Sequence, residues 1–428
     1  MKIKAVKADV SDVLAIKKPK HRLPGKPWFL FRTLIRALSC GELMKTHFSY
    51  TESRMDEAGE GPYFILMNHS GFIDMKIASK IFYPMPYCTV CTTDGFVGKG
   101  WLMRRLGCIP TQKYVSDISL ITDIYHTIHK KKISVLMFPE AGYTLDGCAT
   151  ALPRNLGQLL KRLSVPVLTV ITDGAFLRNP LYNNLRTRHT SVTAHLSCLF
   201  TREEVEALSV EELNAGIDKA FSFDNFASQW EHRTAVTEPF RAEGLERILY
   251  RCPHCQTEGA MKGEGITLTC SACHKAYEMD EYGRMRAKDG KTEFAHIPDW
   301  YRWERECVRK ELAEHRYRLD TEVDIGILVD YKALYMVGEG RLVHDENGFV
   351  LTGCDGRLAY TQSPICAHSL NTDYFWYEMG DVICIGNQER LYYCFPRKGC
   401  PVAKARLAAE ELYKMKKPPV PRRRARGK

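Results

Sequence analysis

Tyr63-Phe64-Ile65-Leu66-Met67-Asn68-His69-Ser70-Gly71-Phe72-Ile73-Asp74 runs from an unbroken apolar segment into a polar turn that contains glycine. Tyr63–Met67 has the length and composition of a buried strand. A histidine and an aspartate five positions apart cannot share a helical face, because five residues turn roughly 500° and leave about 140° between them. The pair must therefore straddle a bend. Asn68 to Gly71 supply it, and Asp74 enters the first turn of a helix running through Met75 to Ile81, where the positive helix end favours an ionised carboxylate. A carboxylate beside an imidazole holds one ring nitrogen as a donor and leaves the other free to accept a proton from a substrate hydroxyl. His69 and Asp74 are thus the candidate catalytic pair, with His69 as general base.

Outward from this stretch, short apolar runs alternate with longer amphipathic ones. Ile133–Phe138 and Val165–Ile171 read as further strands and Ser116–Lys130 as a helix between, an α/β alternation. Arg202–Phe221 reads as one closing helix. Upstream, Pro27–Leu38 places Arg32 and Arg36 on one face and large apolar residues over most of the rest, the build of an interfacial helix. Downstream come Cys252-Pro253-His254-Cys255 and Cys270-Ser271-Ala272-Cys273, then a long charged helix over Ile297–His315. Glu322–Phe395 is rich in β-branched and aromatic residues interrupted by turns such as Glu346-Asn347-Gly348, and a helix over Pro401–Met415 follows. The expected division is a basic, membrane-facing segment over 1–47, an α/β domain over 48–235, a zinc ribbon over 245–285, a helical linker over 290–318, a β-rich domain with its helix over 320–415, and a disordered basic tail over 416–428. Strands closed by one C-terminal helix loosely resemble a pleckstrin-homology-like barrel.

Asn68-His69 followed by four residues and Asp74 resembles the first motif of the glycerophospholipid acyltransferases, the family that includes the 1-acylglycerol-3-phosphate acyltransferases. Three further stretches follow in that family's order. Gly107-Cys108-Ile109-Pro110-Thr111-Gln112-Lys113 stands where the family has a glycine and then a basic residue for the acceptor phosphate, with lysine in place of the usual arginine. Lysine binds phosphate as a point charge rather than as a bidentate fork, which changes acceptor affinity or choice. Phe138-Pro139-Glu140-Ala141-Gly142 stands where the family has Phe-Pro-Glu-Gly, its glycine displaced by one. Because alanine resists positive φ, Gly142 is expected to take over that role, while Glu140 binds acceptor hydroxyls or orders the loop. Ser164-Val165-Pro166-Val167-Leu168 matches a fourth, apolar motif. The resemblance covers roughly residues 27–220. It implies acyl transfer from acyl-CoA or acyl carrier protein to the hydroxyl of a lysophospholipid, lysophosphatidic acid by default, with Gly107, Lys113, Glu140 and Gly142 at the substrate.

The two Cys-x-x-Cys pairs lie fourteen residues apart, the knuckle spacing of a four-cysteine structural zinc site. Cys252, Cys255, Cys270 and Cys273 complete a tetrahedron and leave no open position for chemistry, so His254 and His274 are not counted as ligands. Two redox-active pairs or a rubredoxin-like iron site are the alternatives.

The 428 residues are too many for one hydrophobic core, and 45% hydrophobic with 26% charged is an ordinary globular composition. The net charge of +10 is concentrated at the ends: residues 1–47 hold eleven Lys/Arg against three Asp/Glu, and 414–428 hold eight against none. Such ends suit an anionic membrane surface. Few basic residues flank the cysteine pairs, which disfavours nucleic acid. Sixteen cysteines without a secretory signal point to a reducing, cytoplasmic compartment, and without a spanning stretch the membrane contact is expected to be peripheral, on the inner face. Two functions fit: a peripheral acyltransferase with appended modules, or an acyltransferase fold that has lost turnover and uses the ribbon and basic tail to bind a partner. The intact His69 and Asp74 favour the first.

Overall fold

The computed structural model describes residues 2–417 except Ser116 and Lys398, so most of the basic tail expected at 416–428 lies outside the described residues. β1 (Ala5–Lys7) precedes the α/β domain, whose sheet is built from β2 (Ser49–Ser53), β3 (Phe64–Met67), β4 (Tyr87–Thr92), β5 (Cys108–Thr111), β6 (Ser134–Met137), β7 (Val167–Asp173) and β8 (Thr193–Phe200). Their order is β2-β8-β7-β3-β6-β4-β5. From β7 to β5 all neighbours are parallel, while β8 runs against β7. The central strands β3 and β6 are buried along their whole length, which is why they are apolar at every position rather than alternating.

Two helices, Arg202–Ala207 and Val210–Ala220, stand where one was expected. Thr201 and Ser209 each form a reciprocal capping box with the glutamate three residues on, and the second box starts a new helix at the point where the first stops.

β9 (Met261–Glu264), β10 (Thr267–Cys270), β11 (Ala276–Met279) and β12 (Met285–Ala287) form a small antiparallel meander. The third sheet contains β13 (Leu319–Leu328), β14 (Leu334–Asp345), β15 (Gly348–Gly353), β16 (Leu358–Gln362), β17 (Asn371–Asp373), β18 (Val382–Gly386) and β19 (Leu391–Pro396). It curls so that its first strand pairs with its last, in the order β16-β15-β14-β13-β19-β18-β17. The helix Val402–Lys416 packs on β17 and β18.

Two segments differ from their expected roles. Residues 1–16 do not belong with a membrane-facing segment: β1 pairs in parallel with β14, Arg357 bonds to Asp9 at 2.7 Å, and Val10 and Val13 are buried. The helix Ile297–Ala313, expected as a linker, buries Trp300, Glu304 and Val308. One continuous apolar core runs from Phe176 and Tyr182 of the α/β domain through Cys252, Tyr277 and Trp300 to Ile325 and Leu407. Of the charged residues that suggested a solvated spacer, Arg302, Glu306, Arg309 and Lys310 are exposed, whereas Glu304 is buried and accepts the Arg251 N–H at 2.8 Å.

Candidate functional site

Parallel strands deliver their loops to one edge, and ligands bind at that carboxyl edge in open α/β sheets. Asn68 and His69 follow β3, Asp94 lies two residues beyond β4, Lys113 two beyond β5 and Glu140 three beyond β6. Asn68 clamps the start of the turn. Its Oδ1 accepts from Thr172 N–H at 2.8 Å and its Nδ2 donates to the Thr172 carbonyl at 3.2 Å.

His69 and Asp74 meet across the bend, Nδ1 to Oδ2 at 2.9 Å. Asp74 opens the helix Asp74–Phe82 and is fully buried. The same Oδ2 accepts the Ser70 N–H at 2.8 Å and the Gly71 N–H at 3.1 Å. An oxygen already taking two N–H donors acts as an acceptor toward the ring as well. Nδ1–H is therefore the donor in this bond, and Nε2 is the ring nitrogen that the carboxylate does not engage. The ring lies between Phe138 and Tyr143, with centroids 4.1 Å and 4.3 Å away, and its side chain is 21% exposed.

Glu140 is buried behind this pair. Its carboxylate accepts from the His69 N–H at 3.0 Å, the Thr150 N–H at 3.1 Å and the Thr150 hydroxyl at 3.2 Å. Burial pushes its carboxyl up to about 7, against the pull of those donors. Glu140 thereby ties the His69 turn to the Thr150 loop. Burial, with Asp74 adding to it, also raises the Tyr143 phenol.

Ala141 takes the positive φ itself, at 58°, and Gly142 is not among the residues with positive φ. The expectation that Gly142 would take over that role is thus wrong. Ala141 is held from both sides: its N–H donates to the Phe138 carbonyl at 3.1 Å, and the Tyr114 hydroxyl donates to the preceding Glu140 carbonyl at 2.9 Å. Those bonds offset a backbone cost of about 1–2 kcal/mol. A Cβ on Gly142 would meet nothing nearer than the Tyr114 hydroxyl at 3.9 Å.

Gly107 is not brought to this edge. It precedes β5 while Lys113 follows it, and six residues of extended chain separate them by roughly 20 Å. Its φ of 82° and a Cβ position 2.9 Å from Pro27 give it a structural reason to be glycine.

Residues 45–173 match the family model described as Acyltransferase. This segment is an acyltransferase domain. It includes His69, Asp74, Lys113 and Glu140. Among solved structures, the chain is similar to the 1-acyl-sn-glycerophosphate (LPA) acyltransferase PlsC from Thermotoga maritima. That likeness has 16% identity over 44% of this chain and 76% of that one, with a TM-score of 0.35. No curated protein matches the chain.

Several residues around the acyltransferase domain's candidate site carried no sequence signal. Tyr143 and Thr150 follow Glu140 by three and ten residues in a loop without periodicity. The β-rich domain closes over the same edge. Trp376 Nε1 donates to Asp94 Oδ2 at 3.3 Å, His368 packs on Tyr114 with centroids 5.3 Å apart, and Val97 joins the apolar cluster of Trp376 and Phe395.

The four cysteines come together as the spacing implied, their sulfurs all within 4.8 Å of one another. Cys252–Cys273 and Cys255–Cys270 are each 3.7 Å apart. A tetrahedral zinc with bonds of ~2.3 Å places its sulfurs about 3.8 Å apart, so the four fit that ion. The two loops are alike in backbone: Gln256 N–H donates to the Cys252 carbonyl and His274 N–H to the Cys270 carbonyl, with Gln256 and His274 both at positive φ. None of the cysteines is in a disulfide.

Proposed function

We propose that the chain transfers a fatty acyl group from acyl-CoA or acyl carrier protein to the free hydroxyl of a lysophospholipid, lysophosphatidic acid being the default acceptor, with His69 as general base. The observation that carries the reading is the His69–Asp74 contact inside an acyltransferase domain. Nδ1–H is pinned to a buried carboxylate and Nε2 is left for the substrate. In the reaction, Nε2 takes the hydroxyl proton as the oxygen attacks the thioester carbon. The tetrahedral intermediate then expels the thiolate, and His69 returns the proton to sulfur. No serine or cysteine nucleophile is needed. Phe138 and Tyr143 hold the ring in place on both sides.

The proposed setting is the surface of an anionic membrane, reached peripherally from the cytoplasm. No helix among the described residues is long and apolar enough to cross a membrane. The helix Phe29–Lys45 instead leaves Leu30, Leu34 and Leu38 exposed along one face. Trp28 and Trp101 extend that surface on either side of the Arg105 guanidinium, 4.3 Å and 4.0 Å from their rings, and Phe72 of the His69 turn is also exposed. The four cysteines are proposed to hold one structural zinc, which would tie the ribbon into the shared core and supply no chemistry at His69.

The test is transfer of label from palmitoyl-CoA, and from palmitoyl-acyl carrier protein, to a panel of lysophospholipids. Product phospholipid with stoichiometric thiol release supports the reading. No transfer from either donor to any acceptor would replace it with the binding-protein alternative.

A further inference from the structure

The carboxyl edge of this sheet carries charges that proton transfer at His69 does not use. β4 and β5 pair with Thr92 opposite Thr111, so Asp94 and Lys113, each two residues further on, leave neighbouring strand ends side by side. β17 of the β-rich domain lies against them. Lys113 and Asn371 line one narrow cavity with Tyr114, Ser369 and Cys384, and Asp373 follows Asn371 by two residues, on the same face of the strand. Trp376, three residues beyond, reaches back to Asp94 Oδ2.

Asp94 is only 7% exposed, and its Oδ1 has no hydrogen-bond partner among the described residues. Lys113 forms no hydrogen bond or ion pair with another described residue. Burial pushes the Asp373 carboxyl up to about 6, with the Lys113 charge pulling it back and Asp94 adding to the rise. Two carboxylates, that of Asp94 buried, and one ammonium are thus gathered at this carboxyl edge with their bonding capacity partly unspent.

This set of charges is a poor match for a phosphate monoester, which carries close to two negative charges near neutral pH, because both carboxylates repel it. It matches a phosphodiester that also bears an amine: one ammonium for one phosphate charge, two carboxylates for the amine. Resting on the acyl-transfer reading above, we propose that the acceptor is a lysophospholipid with an amine-bearing phosphodiester head group, Lys113 taking the phosphate and Asp94 with Asp373 taking the ammonium. The β-rich domain then supplies half of the head-group site.

The test uses the full chain and three water-soluble, short-chain lysophospholipids: the ethanolamine form, the glycerol form, which is a phosphodiester without an amine, and lysophosphatidic acid. Equilibrium binding should favour the ethanolamine form at least tenfold over both others. Asp373→Asn, and independently Asp94→Asn, which retains an acceptor for Trp376, should remove that preference by weakening the ethanolamine form, while neither should weaken the glycerol form, whose phosphate the lost carboxylate repelled. Equal or tighter binding of lysophosphatidic acid or the glycerol form by the wild type, or equal weakening of all three by both variants, overturns the proposal. Acyl transfer on the same proteins separates the two ideas. Transfer that depends on His69 but prefers lysophosphatidic acid overturns the head-group site and leaves acyl transfer standing. Amine-dependent binding with no transfer to any acceptor supports the head-group site and removes the acyltransferase reading.

Discussion

Asp74→Asn isolates the charge of the His69–Asp74 pair from its shape. Oδ2 takes all three hydrogen bonds, from His69, Ser70 and Gly71, while Oδ1 has no partner among the described residues. An asparagine carbonyl in the place of Oδ2 keeps every bond, and its amide nitrogen occupies a position where no donor competes. What disappears is the attraction for the imidazolium formed when His69 takes the hydroxyl proton. Opposite unit charges ~4 Å apart at an effective dielectric near 20 attract by about 4 kcal/mol. The ring is 21% exposed, so water screens part of this. A barrier increase of roughly 2–4 kcal/mol corresponds to a loss of about 30- to 1,000-fold in kcat. The assay is thiol release with product phospholipid quantified, alongside thermal melts that should shift little. Combining Asp74→Asn with His69→Ala should lose no more than His69→Ala alone, because the two residues act as one unit. Wild-type turnover in Asp74→Asn, or a double variant that falls by the product of the two single losses, refutes the reasoning.

Purified protein should contain one zinc per chain by elemental analysis. Chelation or Cys255→Ser should release it and lower the melting temperature sharply, since Cys252 and Cys270 share a core with Trp300; full stability without metal contradicts the site. Leu34→Asp with Leu38→Asp removes two exposed leucines, each worth on the order of 1.5 kcal/mol when buried in an apolar interface, so sedimentation with anionic vesicles should weaken at least about tenfold. Added salt should weaken wild-type binding further, and indifference to both changes rejects the docking surface. His344 is buried against Phe349 and Tyr317, and burial drops its imidazole to about 3. The unfolded chain, titrating near 6.5, binds the extra proton between those values, so stability is lost as pH falls below about 6.5, by at most ~1.4 kcal/mol per pH unit. His344→Phe should be less stable at neutral pH for want of a Tyr317 partner, yet lose less on acidification; parallel melting curves for the two proteins from pH 7 to 5 would contradict this.

The turn at His69 was legible because its information is local: an apolar strand, a glycine and a five-residue spacing allow only a bend. The four-cysteine cluster was legible for the same reason, as each pair fixes its own loop. The break at Ser209 was also written locally, in two Thr/Ser-x-x-Glu boxes, but the continuous apolar spacing from Leu208 to Ala220 hid it. The closure of the site was not legible. Trp376 and Asp94 are 282 positions apart, and neither lies in a pattern that anticipates the other. The pairing of β1 with β14 likewise joins residues 5–7 to residues 334–336, through three residues too few to show a strand period. Ala141 was misjudged because propensity was set against a loop that Glu140, Tyr114 and Phe138 fix from outside.

The most direct test of the central claim compares wild type with His69→Ala for transfer of labelled palmitate from palmitoyl-CoA to lysophospholipid. The account predicts measurable transfer by the wild type and a loss of about 100- to 10,000-fold in a variant that melts at the wild-type temperature. A folded His69→Ala protein that transfers palmitate at the wild-type rate would contradict it.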